Sequence, residues 1–331
     1  MIFLNTMIMG TLISISAYSW MGMWMGLEIN LLSIIPLFNS TKNMFSSESS
    51  LKYFLTQAMA SLVLLFSIIL MMSQTEFISP SMNSSFMMLL NSALLMKLGA
   101  APFHFWFPEV MEGLNWNNCL ILLTWQKIAP MILIMNNPLN VKFMVIIILV
   151  SLIISSLMSL NQISLRKILT FSSINHIAWM ISTMMTSFSI WLLYFVIYSM
   201  ITLNIILIFN YTNSFYLKQI INSVNYNKTL KFTLMLNFMS LAGLPPFIGF
   251  IPKWLTINWM IYNNFYLVAF MLTISTSIIL FVYMRIIFSS LLISHFEPKM
   301  SQIKINNFWM ILINTFTLTS FIIMVLFINM A

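Results

Sequence analysis

The chain has 331 residues, of which 60% are hydrophobic and only 6% charged, with a formal net charge of +8 and a mean hydropathy of +0.96. Soluble domains carry charge on about a quarter of their residues, so these values exclude a soluble protein and imply an integral membrane protein. Apolar stretches long enough to span a bilayer, about 18 residues or more, recur from end to end, and the expected architecture is one all-α polytopic domain over 1–331.

The apolar runs, taken in chain order, fall at 2–19, 22–39, 52–73, 83–107, 117–135, 142–160, 168–186, 189–212, 230–260, 265–288 and 308–330. This predicts about eleven transmembrane helices. The first run has no basic segment before it and no recognisable cleavage site after it, and reads as a retained helix rather than a leader. The ninth is too long: about 31 residues would measure ~46 Å as a straight helix against a hydrocarbon core of ~30 Å. It also contains AGLPPFIGF, with Gly243, Pro245 and Pro246, so a broken helix is expected there. With eleven spans, the loops after even-numbered spans share the face of the N-terminus. That face takes Lys42, Lys52, Arg166, Lys167, Lys218, Lys228, Lys231, Arg285, Lys299 and Lys304, and the opposite face takes Lys142. The asymmetry places the N-terminus in the matrix or cytoplasm and the C-terminus across the membrane.

Three basic residues belong to neither face. Lys97, in LLMKLGAAPFHFWFPEV, lies about fourteen residues or ~21 Å into its span, beyond the reach of a lysine stem to water. Lys127, in LLTWQKIAP, lies about ten residues into the fifth span, and Lys253 follows the prolines of the ninth. Glu28, in GLEINLLSIIP, is about seven residues into the second and is the one acid so placed. A charge at the bilayer centre costs about 2.5–3.5 kcal/mol on insertion scales, so these residues require partners, a wet cavity or a neutral state. A structural ion pair accounts for one glutamate and one lysine, and two lysines remain. Burial without a counter-ion favours the neutral amine, and an amine that exchanges its proton is a proton carrier. His176, in LTFSSINHIAWM, lies beside Ser172 and Ser173. Alone it reads as a histidine satisfied by hydrogen bonds, but alongside buried lysines its titration range suits a relay. His104 reads as a packing or hydrogen-bonding residue, and the aromatic and methionine positions as packing or lipid-facing.

Pro102 after LGAA and Pro245-Pro246 after AGL each remove backbone hydrogen bonds. In a bilayer such gaps persist only inside protein or beside water. Each has a lysine nearby, and paired interruptions of this kind point to a transport pathway built on inverted repeats. The single cysteine, Cys119, excludes an intrachain disulfide. With three histidines and no aspartate there is no CxxC, HExxH or iron–sulfur spacing, and neither a Walker loop nor G-x-G-x-x-G occurs. No metal or cofactor site is expected in the chain, so the energy for transport must come from a gradient or a partner. The richness in Met, Phe, Ile and Asn suggests an AT-rich organellar genome.

GLEINLLSIIP, KYFLTQAMAS, MKLGAAPFHFWFPEV, LLTWQKIAP, LRKILTFSSINHIAWM and AGLPPFIGFIPKW, in this order, resemble the antiporter-like membrane-arm subunits of NADH:ubiquinone oxidoreductase (respiratory complex I). Among these the chain is most similar to subunit 2 of the mitochondrial enzyme in its shortened animal form. The resemblance covers nearly the whole chain. It implies antiporter-like inverted repeats with two broken helices, and proton translocation across the mitochondrial inner membrane, driven by electron transfer from NADH to ubiquinone in other subunits. By that likeness Glu28 pairs with Lys97 on the first broken helix, Lys127 is the central relay lysine, Lys253 is the lysine of the second broken helix, and His176 lies between the last two. The resemblance further implies that NADH, FMN, iron–sulfur clusters and ubiquinone are bound elsewhere. Its partners would be other membrane-arm and accessory subunits and lipids such as cardiolipin, with no nucleic acid. The N-terminus would face the matrix and the C-terminus the intermembrane space. Bacterial relatives carry three further N-terminal helices, and the resemblance implies that this chain begins where they would end. The buried charges are also compatible with a stand-alone cation/proton antiporter, or with a structural scaffold of the membrane arm.

Overall fold

Backbone polar groups in hydrocarbon must be satisfied within their own segment, and long apolar runs therefore become helices. The computed structural model describes residues 2–40, 43–74, 80–224, 228–245, 247–292 and 315, and the chain divides into two compact units, Met1–Ser151 and Leu152–Ala331. The first unit holds α1 (Ile2–Ser16), α2 (Trp20–Phe38), α3 (Met44–Gln74), α4 (Pro80–Leu98), α5 (Trp106–Gly113), α6 (Trp116–Leu123) and α7 (Trp125–Asn136). Helix α8 (Val141–Ser159) crosses the boundary. The second unit holds α9 (Leu165–Met184), α10 (Phe188–Thr212), α11 (Leu217–Val224), α12 (Lys228–Ala242), α13 (Phe250–Tyr262) and α14 (Tyr266–Leu292). Among the described residues, the only departure from helix and turn is an isolated bridge between Ser164 and Tyr216.

Six stretches of the described residues are long and apolar enough to cross a membrane: 20–38, 44–73, 116–136, 141–159, 188–212 and 266–288. This is fewer than the eleven runs read from the sequence, for physical reasons. The ninth run is split into α12 and α13, neither long enough to span alone. The seventh corresponds to α9, which carries Thr170, Ser172, Ser173, Asn175, His176, Ser182 and Thr183 on one helix. The run at 308–330 and the basic residues Lys42, Lys299 and Lys304 lie outside the described residues, as does Pro246. Helix α3 begins eight residues before the expected start at 52, extended through a polar turn in which Glu48 pairs with Lys52 at 3.0 Å.

Two packing features position the functional residues. Helices α1 and α2 touch backbone to backbone: a Cβ on Gly10 would lie 2.9 Å from the Asn30 amide nitrogen, and one on Gly26 would lie 2.8 Å from Ser14 Cα. Small residues permit this approach where lipid supplies no hydrophobic drive between helices. In the second unit, α9 is buried on all sides, with every residue except Arg166 and Lys167 inaccessible. The segments after α8 and α10 are tied at one end of that unit. Leu165 N donates to Phe215 O (2.9 Å) and Leu217 N to Ile163 O (3.3 Å), while Arg285 on α14 donates to Leu160 O (2.7 Å) and Gln162 O (3.2 Å).

The α1–α2 contact generates a stability prediction. Gly26→Val should lower the melting temperature of the detergent-extracted protein by several degrees, since overpacking against backbone costs about 1–3 kcal/mol. Gly22→Ala should lower it less, because a Cβ there meets only the side chains of Ala17 and Ser19, each at 3.1 Å, which can shift. A thermal scan in which the two variants melt together would show that this contact is not limiting.

Candidate functional site

In the first unit, the broken helix shapes the surroundings of Lys97. Helix α4 ends at Leu98 because Gly99 takes φ +76°, a left-handed conformation that glycine adopts without strain. Gly99 N then donates to Met96 O and Ala100 N to Leu95 O, both at 3.1 Å, the two bonds of a Schellman end. Neutral donors add to these: Trp106 Nε1 gives Met96 O a second bond at 3.2 Å, and Gln57 Nε2 reaches one more carbonyl of the last turn, Lys97 O, at the long limit of 3.5 Å. Pro102 lies in the turn between α4 and α5. His104, in the same turn, is 3% exposed and has an Nδ1 with no hydrogen-bond partner.

Lys97 is 8% exposed and Lys127 2%. The two side chains line one small cavity together with Tyr53, Leu98, Trp106, Phe107, Leu122 and Gln126. Lys127 Nζ lies 6.0 Å from the centre of the Phe107 ring, a cation–π distance. A second cavity is bounded by Leu27, Asn30 and Leu31 of α2 and by Tyr53, Gln57, Lys97, Gln126 and Pro130. Glu28 is part-buried, and its Oε1 is buried without a hydrogen-bond partner. Among the described residues the two do not close an ion pair within 4 Å. The pairing that the resemblance implies is thus not a direct contact in this geometry. The 27/30/31 stripe of α2 faces Lys97 across the cavity, and at 100° per residue Glu28 lies on the flank of that stripe.

In the second unit, α12 ends at Ala242 by the same device. Gly243 has φ +78°; its N donates to Ser240 O (3.1 Å), and Leu244 N donates to Met239 O (3.4 Å). Lys253, 8% exposed on α13, donates from Nζ to Leu241 O at 2.9 Å and Ala242 O at 2.8 Å. The ammonium thus sits at a helix C-terminus, where the backbone dipole favours a cation, and 5.8 Å from the Trp179 ring centre. Gly243 is required twice over: by its φ, and because a Cβ there would lie 2.7 Å from Lys253 Cδ. Pro245 follows in the turn. His176 is 5% exposed, and its Nδ1 lies 2.8 Å from Tyr194 OH, with the Tyr198 ring tilted at 44° and its centre 5.0 Å away. Ser172 and Ser173 bond back to Leu169 O and Thr170 O, so Tyr194 of α10, not these serines, is the partner on Nδ1.

Three features were missed from the sequence. Helices α6 and α7 form one span interrupted at Thr124 (φ −115°, ψ −71°), whose hydroxyl bonds back to Leu120 O, so Lys127 too sits just past a helix break. The available signal was TWQK, three polar residues among four, with Pro130 one turn on. The reciprocal amide pair of Asn30 and Gln126, 3.0 Å in each direction, joins α2 to α7. Each residue stands within two positions of a buried charge. Tyr194 carried no distinguishing pattern. Among the described residues, no group of three or more His, Cys, Asp or Glu side chains is placed to hold a metal ion.

Residues 17–280 match the family described as NADH:quinone oxidoreductase/Mrp antiporter, TM. The chain is 51% identical over 311 residues to the NADH-ubiquinone oxidoreductase chain 2 of Anopheles gambiae, covering 93% of this chain and 89% of that one. It is 50% identical over 319 residues to that of Aedes aegypti, with 95% and 93% covered. The fold is similar to that of a chain of respiratory complex I from Thermus thermophilus, with TM-score 0.85 and 20% identity, covering 96% of this chain and 76% of that one. It also resembles a chain of the Mrp complex from Dietzia sp., with TM-score 0.80 and 15% identity, covering 91% and 62%. A nearly all-helical, antiporter-like membrane fold and a family match over most of its length therefore make this chain a member of the NADH:quinone oxidoreductase/Mrp antiporter transmembrane family.

Proposed function

We propose that this chain is an antiporter-like membrane-arm subunit of the NADH:ubiquinone oxidoreductase of the mitochondrial inner membrane, and that Glu28, Lys97, Lys127, His176 and Lys253 carry protons through it. The observation that carries the reading is the placement of the three lysines: each is at most 8% exposed and each adjoins a helix interruption. Lys97 and Lys127 also line one small cavity with Tyr53 and Gln126. Proton transfer needs protonatable groups joined by polar space. Electron transfer and its cofactors, NADH, FMN, iron–sulfur clusters and ubiquinone, belong in this reading to partner subunits, and this chain acts as a transducer. Cardiolipin and the neighbouring membrane-arm and accessory subunits would cover its apolar outer faces.

The finer topology is part of the same reading: about eleven spans in one transmembrane domain, with inverted repeats centred on the two broken helices. The twin glycine ends at Gly99 and Gly243 support the repeat, with φ of +76° and +78° and the same pair of capping bonds. The second unit supports the orientation, because Arg166, Lys167, Lys218 and Arg285 lie on or beside the segments that Arg285 and the Ser164–Tyr216 bridge draw to one end. The loop at 213–229 should therefore face the matrix and residue 331 the intermembrane space. Protease digestion of sealed inner-membrane vesicles of known sidedness checks this, and cleavage of both sites from one side would refute the topology.

Lys127→Met keeps most of the side-chain volume and removes the proton site, so the complex should assemble with proton translocation and coupled NADH:quinone turnover reduced several-fold. Lys253→Met should cut transport similarly but assemble less well, because it strips a donor from Leu241 O and Ala242 O, and a buried acceptor left unmet costs about 1–3 kcal/mol. Native gels run beside both activities distinguish the two defects. Wild-type pumping by an assembled Lys127→Met complex would leave the scaffold reading standing. A stand-alone antiporter would be indicated if the chain purified without redox subunits and exchanged cations for protons by itself.

Glu28→Gln should assemble normally, since no closed ion pair is broken, and should still lower pumping by removing the charge that acts on Lys97. Equal pumping rates for Glu28→Gln and wild type, in membranes with matched amounts of complex, would remove Glu28 from the pathway.

A further inference from the structure

We infer that the hydrogen-bonded amides of Asn30 and Gln126 form a latch, and that turning the Gln126 amide away from Asn30 frees it to bridge Lys97 and Lys127 within the cavity that the two lysines share. The inference rests on the proton-transfer reading above and adds to it the residue that controls the transfer. The two cavities share three wall residues, Tyr53, Lys97 and Gln126. Asn30 lines only the cavity bounded by α2, and Lys127 only the cavity bounded by Phe107 and Leu122. Gln126 is thus the wall residue adjacent in sequence to one lysine and bonded to the helix that carries Glu28.

In the latched geometry Gln126 Oε1 accepts from Asn30 Nδ2 and Gln126 Nε2 donates to Asn30 Oδ1, each at 3.0 Å, with Tyr53 OH 3.5 Å from the same Oε1. The two acceptor positions of the amide oxygen are thus taken, one by Asn30 and one weakly by Tyr53, and an ammonium or a water bridging the lysines must compete for them. An amide does not itself take up a proton near neutral pH, so while latched it interrupts the chain of donors and acceptors. The local backbone is suited to movement: Gln126 lies two residues after the interruption at Thr124, and Pro130 has no N–H to offer the Gln126 carbonyl. Asn30 is held on a helix whose backbone touches α1 at Gly10 and Gly26. One partner of the latch is anchored and the other can turn.

A merely structural pair would fail in the same way whichever partner is removed, whereas a latch fails in two different ways. Asn30→Leu releases the amide, so the two lysines stay bridged and protons slip back. Gln126→Leu removes the amide, so the connection cannot form. Both variants are read in the assembled complex in inner-membrane vesicles, as protons moved per electron and as coupled NADH:quinone turnover. Asn30→Leu should lower protons per electron at least two-fold. Gln126→Leu should slow coupled turnover several-fold with the proton-to-electron ratio held. The double variant should behave as Gln126→Leu. Should Asn30→Leu fail to assemble, Asn30→Ser, too short to reach Gln126, is read in its place. Equal effects of the two single substitutions on the same quantity, or no effect of either, would overturn the latch. Lys127→Met measured alongside separates the failures: impaired pumping there with wild-type latch variants sinks the latch alone, and normal pumping there sinks the proton-transfer reading with it.

Discussion

A helix that stops inside an apolar interior leaves its last carbonyls facing a solvent that cannot donate to them, and the two broken helices of this chain are built around that debt. Both use glycine in the left-handed conformation to fold the following amides back, at Gly99 and at Gly243. They differ in where the remaining donors come from. At α4 the donors are neutral, the Trp106 indole and the Gln57 amide, so the lysine of that turn keeps its ammonium for the cavities it lines. At α12 the donor is Lys253 itself, bonded to two carbonyls. The same backbone requirement thus leaves one lysine beside open polar space and anchors the other, and it fixes Gly243 as the residue over which the Lys253 stem must pass.

Short hydroxyls and long polar groups are satisfied differently. On α9 the hydroxyls of Thr170, Ser172, Ser173, Ser182 and Thr183 all return to carbonyls three residues earlier in their own helix. They make a polar helix compatible with complete burial and contribute little to the site. His176 and Gln126 cannot be satisfied that way and reach across to other helices, to Tyr194 and Asn30. The functional geometry is carried by these few long-range bonds.

This division also explains what was legible in the sequence. Helix positions were, because apolar length follows directly from bilayer thickness. The expected ends at 142–160 and 189–212 fall within a residue of α8 and α10. The breaks near Pro102 and Pro245 were visible through proline, although the helices end earlier, at the glycines that can take positive φ. The start of α3 and the interruption at Thr124 were not visible, because each depends on a local polar bond that leaves the hydrophobic pattern unchanged. Glu28, Lys97, Lys127 and Lys253 stood out as charges in apolar runs. Their surroundings did not: Asn30 and Gln126 are 96 residues apart, and neither periodicity nor composition relates two such positions.

The open geometry around Glu28 bears on the choice between scaffold and transducer. A closed, well-bonded ion pair holds both charges in a deep minimum and resists any change in either, which suits a clamp between helices. Here one carboxylate oxygen is buried without a donor, no ion pair with Lys97 closes among the described residues, and the lysine instead borders two small cavities, one of them mainly polar. A carboxylate held this way gains little fixed stabilisation, and its energy depends on the charge state of the lysine and on how much water the cavities admit. Small changes in either are then felt at the other, because Coulomb interactions in a medium of low effective dielectric reach well beyond contact. A static scaffold gains nothing from a charge on those terms, since apolar replacement of buried ionic groups is often neutral or stabilising. Charges that are costly, loosely held and mutually sensitive are what a device needs if it moves protons by altering one charge and reading the change at the next.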